Sequence, residues 1–210
     1  DFWREFLPEA RRYYTNIVGK YGVQVQNALN KAAGLDIKFL CPLHGPVWRE
    51  DIPSFLAKYR LWSAYMPETK GVAVFYASVY GHTQNAAEIL ASAISARGVS
   101  AVKVFDVSAC DPSYLVAEAF RFSHLVFAST TYNNGIFVNM ERFLSDLAAH
   151  NFGNRRYALI ENGTWSPQAG KLMEEMLSSM KGMQKIGNTV KILSALKEGD
   201  RAALTALAQA

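Results

Sequence analysis

Short apolar runs alternate with longer amphipathic segments over the last two thirds of the chain. The runs predict five strands, at Val72–Ala77, Ala101–Asp106, Leu125–Ser129, Tyr157–Glu161 and Thr189–Leu193. The intervening segments predict helices at Thr83–Arg97, after Pro112, at Val138–His150, at Gln168–Met180 and up to Ala210. Strands that alternate with helices favour a parallel sheet covered on both faces. The pattern predicts a doubly wound α/β domain over residues 71–210, with the strand order 2-1-3-4-5.

The first seventy residues have a different pattern. It predicts helices around Trp3–Val18 and Val23–Ala33, a short strand at Ile37–Cys41 and a linking helix at Asp51–Tyr65. We therefore divide the chain into residues 1–49, a linker helix at 50–70 and the α/β domain. Residues 1–49 hold too few strands to close a sheet, so we expect them to pack poorly or to lean on a neighbouring molecule, with Phe39 and Leu40 exposed. The start at Asp1, within a helical pattern, favours a piece of a longer protein.

Charge and cysteine content narrow the class of protein. The net charge of +4 is spread along the chain, without the basic stripe that nucleic-acid binding needs. Cys41 and Cys110 have neither the spacing of a metal site nor that of a disulfide scaffold, which favours a reducing cytoplasm. No apolar run approaches the roughly 20 residues of a membrane span. We expect a cytoplasmic globular protein with no nucleic-acid or membrane partner.

Candidate chemistry lies in three loops, each of which follows a predicted strand and precedes a helix. Their residues are Ser78, Val79, Tyr80, Gly81, His82 and Thr83; Thr130, Thr131, Tyr132, Asn133, Asn134 and Gly135; and Asn162, Gly163, Thr164 and Trp165. In a parallel sheet these loops emerge at the same edge. A helix amino terminus offers free N–H groups and a positive dipole end to an anion. The first loop adds the hydroxyls of Ser78 and Thr83 but no lysine, which favours a phosphate monoester over a nucleoside triphosphate.

The second and third loops offer groups suited to a planar ring. Tyr132 and Trp165 can stack on it, and Asn133, Asn134 and Asn162 can bond to its polar edge. A phosphate site and a ring site together describe flavin mononucleotide (FMN). Each loop taken alone is more typical of a helix cap than of a ligand site, and each aromatic residue alone is equally typical of ordinary packing.

The same loops resemble the flavin loops of flavodoxin-like domains, over residues 71–210. The segment Thr131–Phe137 is particularly similar to that of flavodiiron proteins, also called A-type flavoproteins. Ordinary flavodoxins usually carry a hydroxyl residue where Tyr80 stands, which favours the flavodiiron branch. The resemblance implies FMN as the cofactor.

Three N-terminal segments resemble the end of the metallo-β-lactamase-like domain of flavodiiron proteins. They are Arg12–Ile17, Gly34–Ile37 and Pro42–Arg49. The resemblance implies that His44 is an iron ligand in the intact protein. If the resemblance is set aside, a histidine beside glycine and proline is more typical of a turn. The other ligands of that family lie upstream of this chain, and one histidine cannot hold two irons. We therefore expect a complete diiron centre only in the intact protein.

For the intact protein the resemblance implies an oxidoreductase that reduces dioxygen or nitric oxide, with electrons relayed through FMN. Rubredoxin or another reductase is the implied donor, and a homodimer or tetramer the implied assembly. This piece alone is predicted to transfer electrons, and no side chain is assigned a catalytic role. The alternatives are a flavodoxin-like NAD(P)H:quinone reductase and a phosphate-binding signalling module. A receiver domain, however, needs an aspartate where the third strand ends in Ser129 and Thr130.

Overall fold

A seven-stranded sheet forms the centre of the computed structural model, which describes residues 2–210. The strands are β1 Thr69–Ala77, β2 Val102–Asp106, β3 Phe122–Tyr132, β4 Gly135–Ile136, β5 Arg156–Asn162, β6 Gln184–Lys185 and β7 Val190–Ile192. The helices are α1 Phe2–Ile17, α2 Gly22–Ala32, α3 Ile52–Ser63, α4 His82–Ser95, α5 Pro112–Arg121, α6 Val138–Ala149, α7 Ala169–Ser178 and α8 Glu198–Leu207. The predicted parallel α/β fold is confirmed.

The sheet has the order β2-β1-β3-β5-β6, and the strands on this path pair in parallel. The predicted last strand Thr189–Leu193 is present as the shorter β7. A second short strand, β6, was not predicted, and β6 and β7 pair with opposite ends of β5. Strand β4 was not predicted. Asn133 and Asn134 both have positive φ (48° and 60°), which turns the chain back so that β4 pairs antiparallel with the end of β3.

Each face of the sheet buries its own apolar cluster. Helices α5, α6 and α7 cover the face that carries the stacked rings of Phe75 and Phe127. Helices α4 and α8 cover the other face through Leu90 and Leu204, both fully buried. Because both faces are covered, the free edge at the carboxyl ends of the strands is where a ligand has access.

Helix α1 packs against α5 of the α/β domain. Arg11 is only 2 % exposed, and it forms ion pairs with Glu68 (3.1 Å) and Glu118 (3.2 Å). Poor packing of residues 1–49 was therefore a wrong expectation for α1. In the segment after α2 the expectation holds for Phe39, which is 60 % exposed, but not for Leu40, which is half-buried. Trp48 of the same segment is buried.

The predicted strand Ile37–Cys41 was also wrong. The structure has a single antiparallel bridge there, between Leu40 and Trp48. A strand needs a neighbouring strand to satisfy its backbone groups, and this segment has none within residues 2–210.

Over the same residues, no helix has both the length and the apolar character of a membrane span.

Candidate functional site

The amino terminus of α4 is open. The helix begins after Gly81, whose φ of 86° suits glycine. Since glycine has no side chain, the residue at the capping position does not cap the helix. The Ser78 hydroxyl accepts a hydrogen bond from the Gly81 N–H (3.0 Å), and the hydroxyls of Thr83 and Thr130 lie 2.9 Å apart. Hydroxyls from two loops therefore lie beside the free N–H groups of the first helical turn, an arrangement suited to an anion.

The three loops enclose a cleft of about 460 Å³ at the carboxyl edge of the sheet. All the residues predicted to bind the cofactor line this cleft except Gly81 and Gly135. Gly81 lies in the turn before α4, and Gly135 begins β4. Ser166 and Ser194 also line it and were missed by the sequence analysis. Ser194 lies beyond β7, in a segment where no motif marks it. Among the described residues, no Asp, Glu, Lys or Arg lines the cleft.

Two aromatic side chains stand at the cleft without ring partners in the described structure. Trp165 is 89 % and Tyr80 88 % exposed. Tyr132 is half exposed and its ring lies 5.7 Å, edge-on, from that of Phe137. Exposed rings beside a neutral cleft of this size offer stacking surfaces to a planar ligand.

Asn162 has a role that the sequence analysis did not anticipate. Its amide donates to the Ser194 carbonyl (3.0 Å) and accepts from the Ser194 N–H (3.1 Å). The side chain thus fastens the third loop to the segment after β7.

Thr131 is likewise engaged by protein groups. Its hydroxyl accepts hydrogen bonds from the backbone N–H groups of Gln168 (2.9 Å) and Ala169 (3.1 Å), at the start of α7. Glu161, which is 5 % exposed, accepts the next N–H, that of Gly170 (2.9 Å). Protein oxygens therefore close the amino terminus of α7.

His44 lies in the N-terminal part of the chain, away from the loops. It lines an apolar cleft of about 660 Å³ between α1, α2 and α3, and its ring lies 5.3 Å from that of Tyr13. Within residues 2–210, no three His, Cys, Asp or Glu side chains are grouped so as to hold a metal ion. His44 alone does not form a metal site.

The flavodoxin family profile matches residues 74–205. The chain belongs to the flavodoxin family. Flavodoxin-family membership thus accounts for the α/β domain and for the position of the cleft at the carboxyl ends of its strands.

Two curated relatives are oxidoreductases. The rubredoxin-oxygen oxidoreductase of Megalodesulfovibrio gigas is 28 % identical over 95 % of this chain. The anaerobic nitric oxide reductase flavorubredoxin of Aeromonas hydrophila is 27 % identical over 77 % of it. The chain spans 50 % of the length of the first relative and 33 % of the second.

Solved structures agree with this assignment. The rubredoxin oxygen:oxidoreductase of Desulfovibrio gigas superposes with a TM-score of 0.85 at 28 % identity, covering 95 % of this flavodoxin-family chain and 50 % of its own. The flavodiiron protein of Giardia intestinalis has the same fold, with a TM-score of 0.86 at 22 % identity and the corresponding coverages of 95 % and 49 %. The resemblance to flavodiiron proteins is confirmed, and this chain spans about half the length of these two structures.

Proposed function

We propose that this flavodoxin-family chain binds FMN without a covalent bond and transfers electrons through it. The observation that carries the proposal is the open amino terminus of α4, which shares one cleft with the rings of Trp165 and Tyr132. The hydroxyls and N–H groups present suit a phosphate monoester, and the rings suit an isoalloxazine. When bound, FMN supplies reversible transfer of one or two electrons.

Each end of the cleft has a separate task in this proposal. Ser78, Thr83 and the first N–H groups of α4 bind the phosphate, and His82 adds a donor beside it. Trp165 and Tyr132 hold the ring by stacking, and the turn at Asn133 and Asn134 offers amide groups to its polar edge. No side chain acts as acid, base or nucleophile, because the chain's own work is to bind and orient the flavin and to limit its contact with water.

We further propose that the intact protein is a flavodiiron protein in which residues 1–49 complete a metallo-β-lactamase-like domain and residues 50–70 link it to the flavin domain. Similarity to the rubredoxin-oxygen oxidoreductase over 95 % of the chain supports this, since it includes the N-terminal part. The apolar cleft beside His44 supports it too, because Leu40, Trp48 and Phe55 line it. His44 would then bind iron together with residues outside this chain.

The proposed reaction of the intact protein is the reduction of dioxygen or nitric oxide. It rests on the activities in the names of the two curated relatives. The same names support rubredoxin, or another reductase, as the electron donor. A homodimer or tetramer in the cytoplasm remains our expectation for the intact protein.

Absorption spectroscopy tests the proposal. The purified chain is mixed with excess FMN, unbound flavin is removed, and flavin and iron are quantified in the same sample. We expect about one FMN per chain. A sample that retains no flavin contradicts the proposal, whereas rapid oxidation of NAD(P)H by the flavin-loaded chain favours a quinone reductase.

A further inference from the structure

The loop that carries Trp165 is fastened at both ends. At its start, Asn162 pairs with the backbone of Ser194, and the Gly163 N–H donates to the Ile192 carbonyl (3.1 Å). At its end, the first N–H groups of α7 donate to Thr131 and Glu161. Residues 164–167 span the short distance between these anchors. The position of Trp165 therefore depends on where α7 begins.

Glu161 makes the least obvious of these anchors. It lies at the end of β5 beneath the cleft and does not line it. One carboxylate oxygen accepts the Gly170 N–H (2.9 Å) and the other pairs with Lys191 Nζ (3.2 Å). Gly170 permits this contact, since a Cβ atom there would lie 2.8 Å from a Glu161 oxygen. The close approach of α7 to the Glu161 carboxylate thus requires glycine at position 170.

We propose that Glu161 is a positioning residue for the ring end of the cleft. By holding the Gly170 N–H, it fixes the start of α7 and so presets the Trp165 loop before any ligand arrives. The proposal rests on the proposed function, because the ligand whose ring meets Trp165 is FMN. It reaches beyond that function by giving a residue outside the cleft control over how tightly the ring is bound.

FMN and riboflavin separate the two ends of the cleft, because riboflavin has the same ring without the phosphate. Binding of each is measured by quenching of flavin fluorescence, with the urea midpoint of the ligand-free protein measured in parallel. For Glu161→Ala we expect affinity to fall by about tenfold for both ligands, since the Gly170 N–H loses its charged partner. Glu161→Gln keeps an acceptor oxygen and should restore most of the affinity.

Glu174→Gln is the matched control. Glu174 lies on α7. Like Glu161, it pairs with a lysine, Lys185, and does not line the cleft, but the Gly170 N–H donates to Glu161 and not to Glu174. We expect this variant to bind both flavins as the wild-type chain does. Unchanged affinities in Glu161→Ala, or a loss confined to FMN, would overturn the proposal. If Glu161→Ala lowers the urea midpoint but leaves both flavin affinities unchanged, Glu161 stabilises the fold and does not position the ring end of the cleft.

Amide hydrogen exchange in the ligand-free wild-type chain tests the anchor without a variant. We expect slow exchange at Gly170 and little further slowing when FMN is added. Fast exchange at Gly170 without ligand would contradict a preset loop, even if Glu161→Ala fails to fold. If the wild-type chain binds neither flavin, the proposed function fails, and the exchange result still decides whether the anchor exists.

Discussion

Helices α4 and α7 begin at the same edge of the sheet, but their amino termini are used in opposite ways. The amino terminus of α4 is left open toward the cleft. That of α7 is closed by Thr131 and Glu161, which accept the N–H groups of the capping residue Gln168 and of the first two helical residues, Ala169 and Gly170. Both ends carry the same backbone donors and the same dipole. The oxygens that the neighbouring strands place beside them therefore decide which end is free for a ligand.

Placing a carboxylate at the open amino terminus of α4 should have the largest effect on FMN binding. In Ser78→Asp a carboxylate stands beside the first turn of α4, where it interacts favourably with the helix dipole but repels a phosphate. We expect FMN affinity to fall by about a hundredfold or more, as a charge-assisted phosphate site is lost. The urea midpoint should stay the same or rise. Titration with FMN and urea unfolding measure the two quantities.

Riboflavin provides the control for that variant. It lacks the phosphate, so its affinity should change far less than that of FMN. Equal losses for both flavins in Ser78→Asp would mean that the phosphate does not bind at α4. A lower urea midpoint would mean that the variant acts by damaging the fold.

Adding a methyl group at Gly170, at the closed amino terminus of α7, should have the next largest effect. A Cβ atom on Gly170 would meet a Glu161 oxygen at 2.8 Å and the Thr189 methyl carbon at 2.9 Å. We expect Gly170→Ala to lower the free energy of unfolding by about 1–3 kcal/mol through overpacking, and to weaken flavin binding. Urea unfolding of the ligand-free protein measures the first of these.

Gly199→Ala is the matched control, because Gly199 is the second residue of α8 as Gly170 is of α7. Apart from its chain neighbours and the backbone of its own helix, no heavy atom of the described residues lies within 4 Å of a Cβ placed there. Alanine favours the helix more than glycine does, so stability should be unchanged or slightly raised. Equal destabilisation of both variants would contradict the role given to the contact with Glu161.

Removing the stacking ring should have the smallest effect. Trp165 is 89 % exposed, so Trp165→Ala should leave the stability of the ligand-free protein unchanged. We expect roughly tenfold weaker binding of both FMN and riboflavin, from the loss of one stacked aromatic face. Binding titrations check this. An effect on FMN alone would place Trp165 at the phosphate end of the cleft.

The sequence was sufficient to predict the parallel fold, because apolar runs separated by amphipathic helices admit few arrangements. It also predicted that the three loops share one edge. The closure of α7 could not be read from it, since Thr131 and Gln168 are far apart in sequence and meet only in three dimensions. Ser194 was missed for the same reason. The packing of α1 was missed because it depends on Arg11 reaching Glu68 and Glu118.

If the open end of α4 binds the phosphate while Trp165 faces the ring, the wild-type chain must distinguish FMN from riboflavin, and binding titrations with the two flavins measure this. We therefore expect FMN to bind at least about a hundredfold more tightly than riboflavin, with riboflavin binding still measurable. Equal affinities would contradict a phosphate site at α4, and no binding of either flavin would contradict the account as a whole.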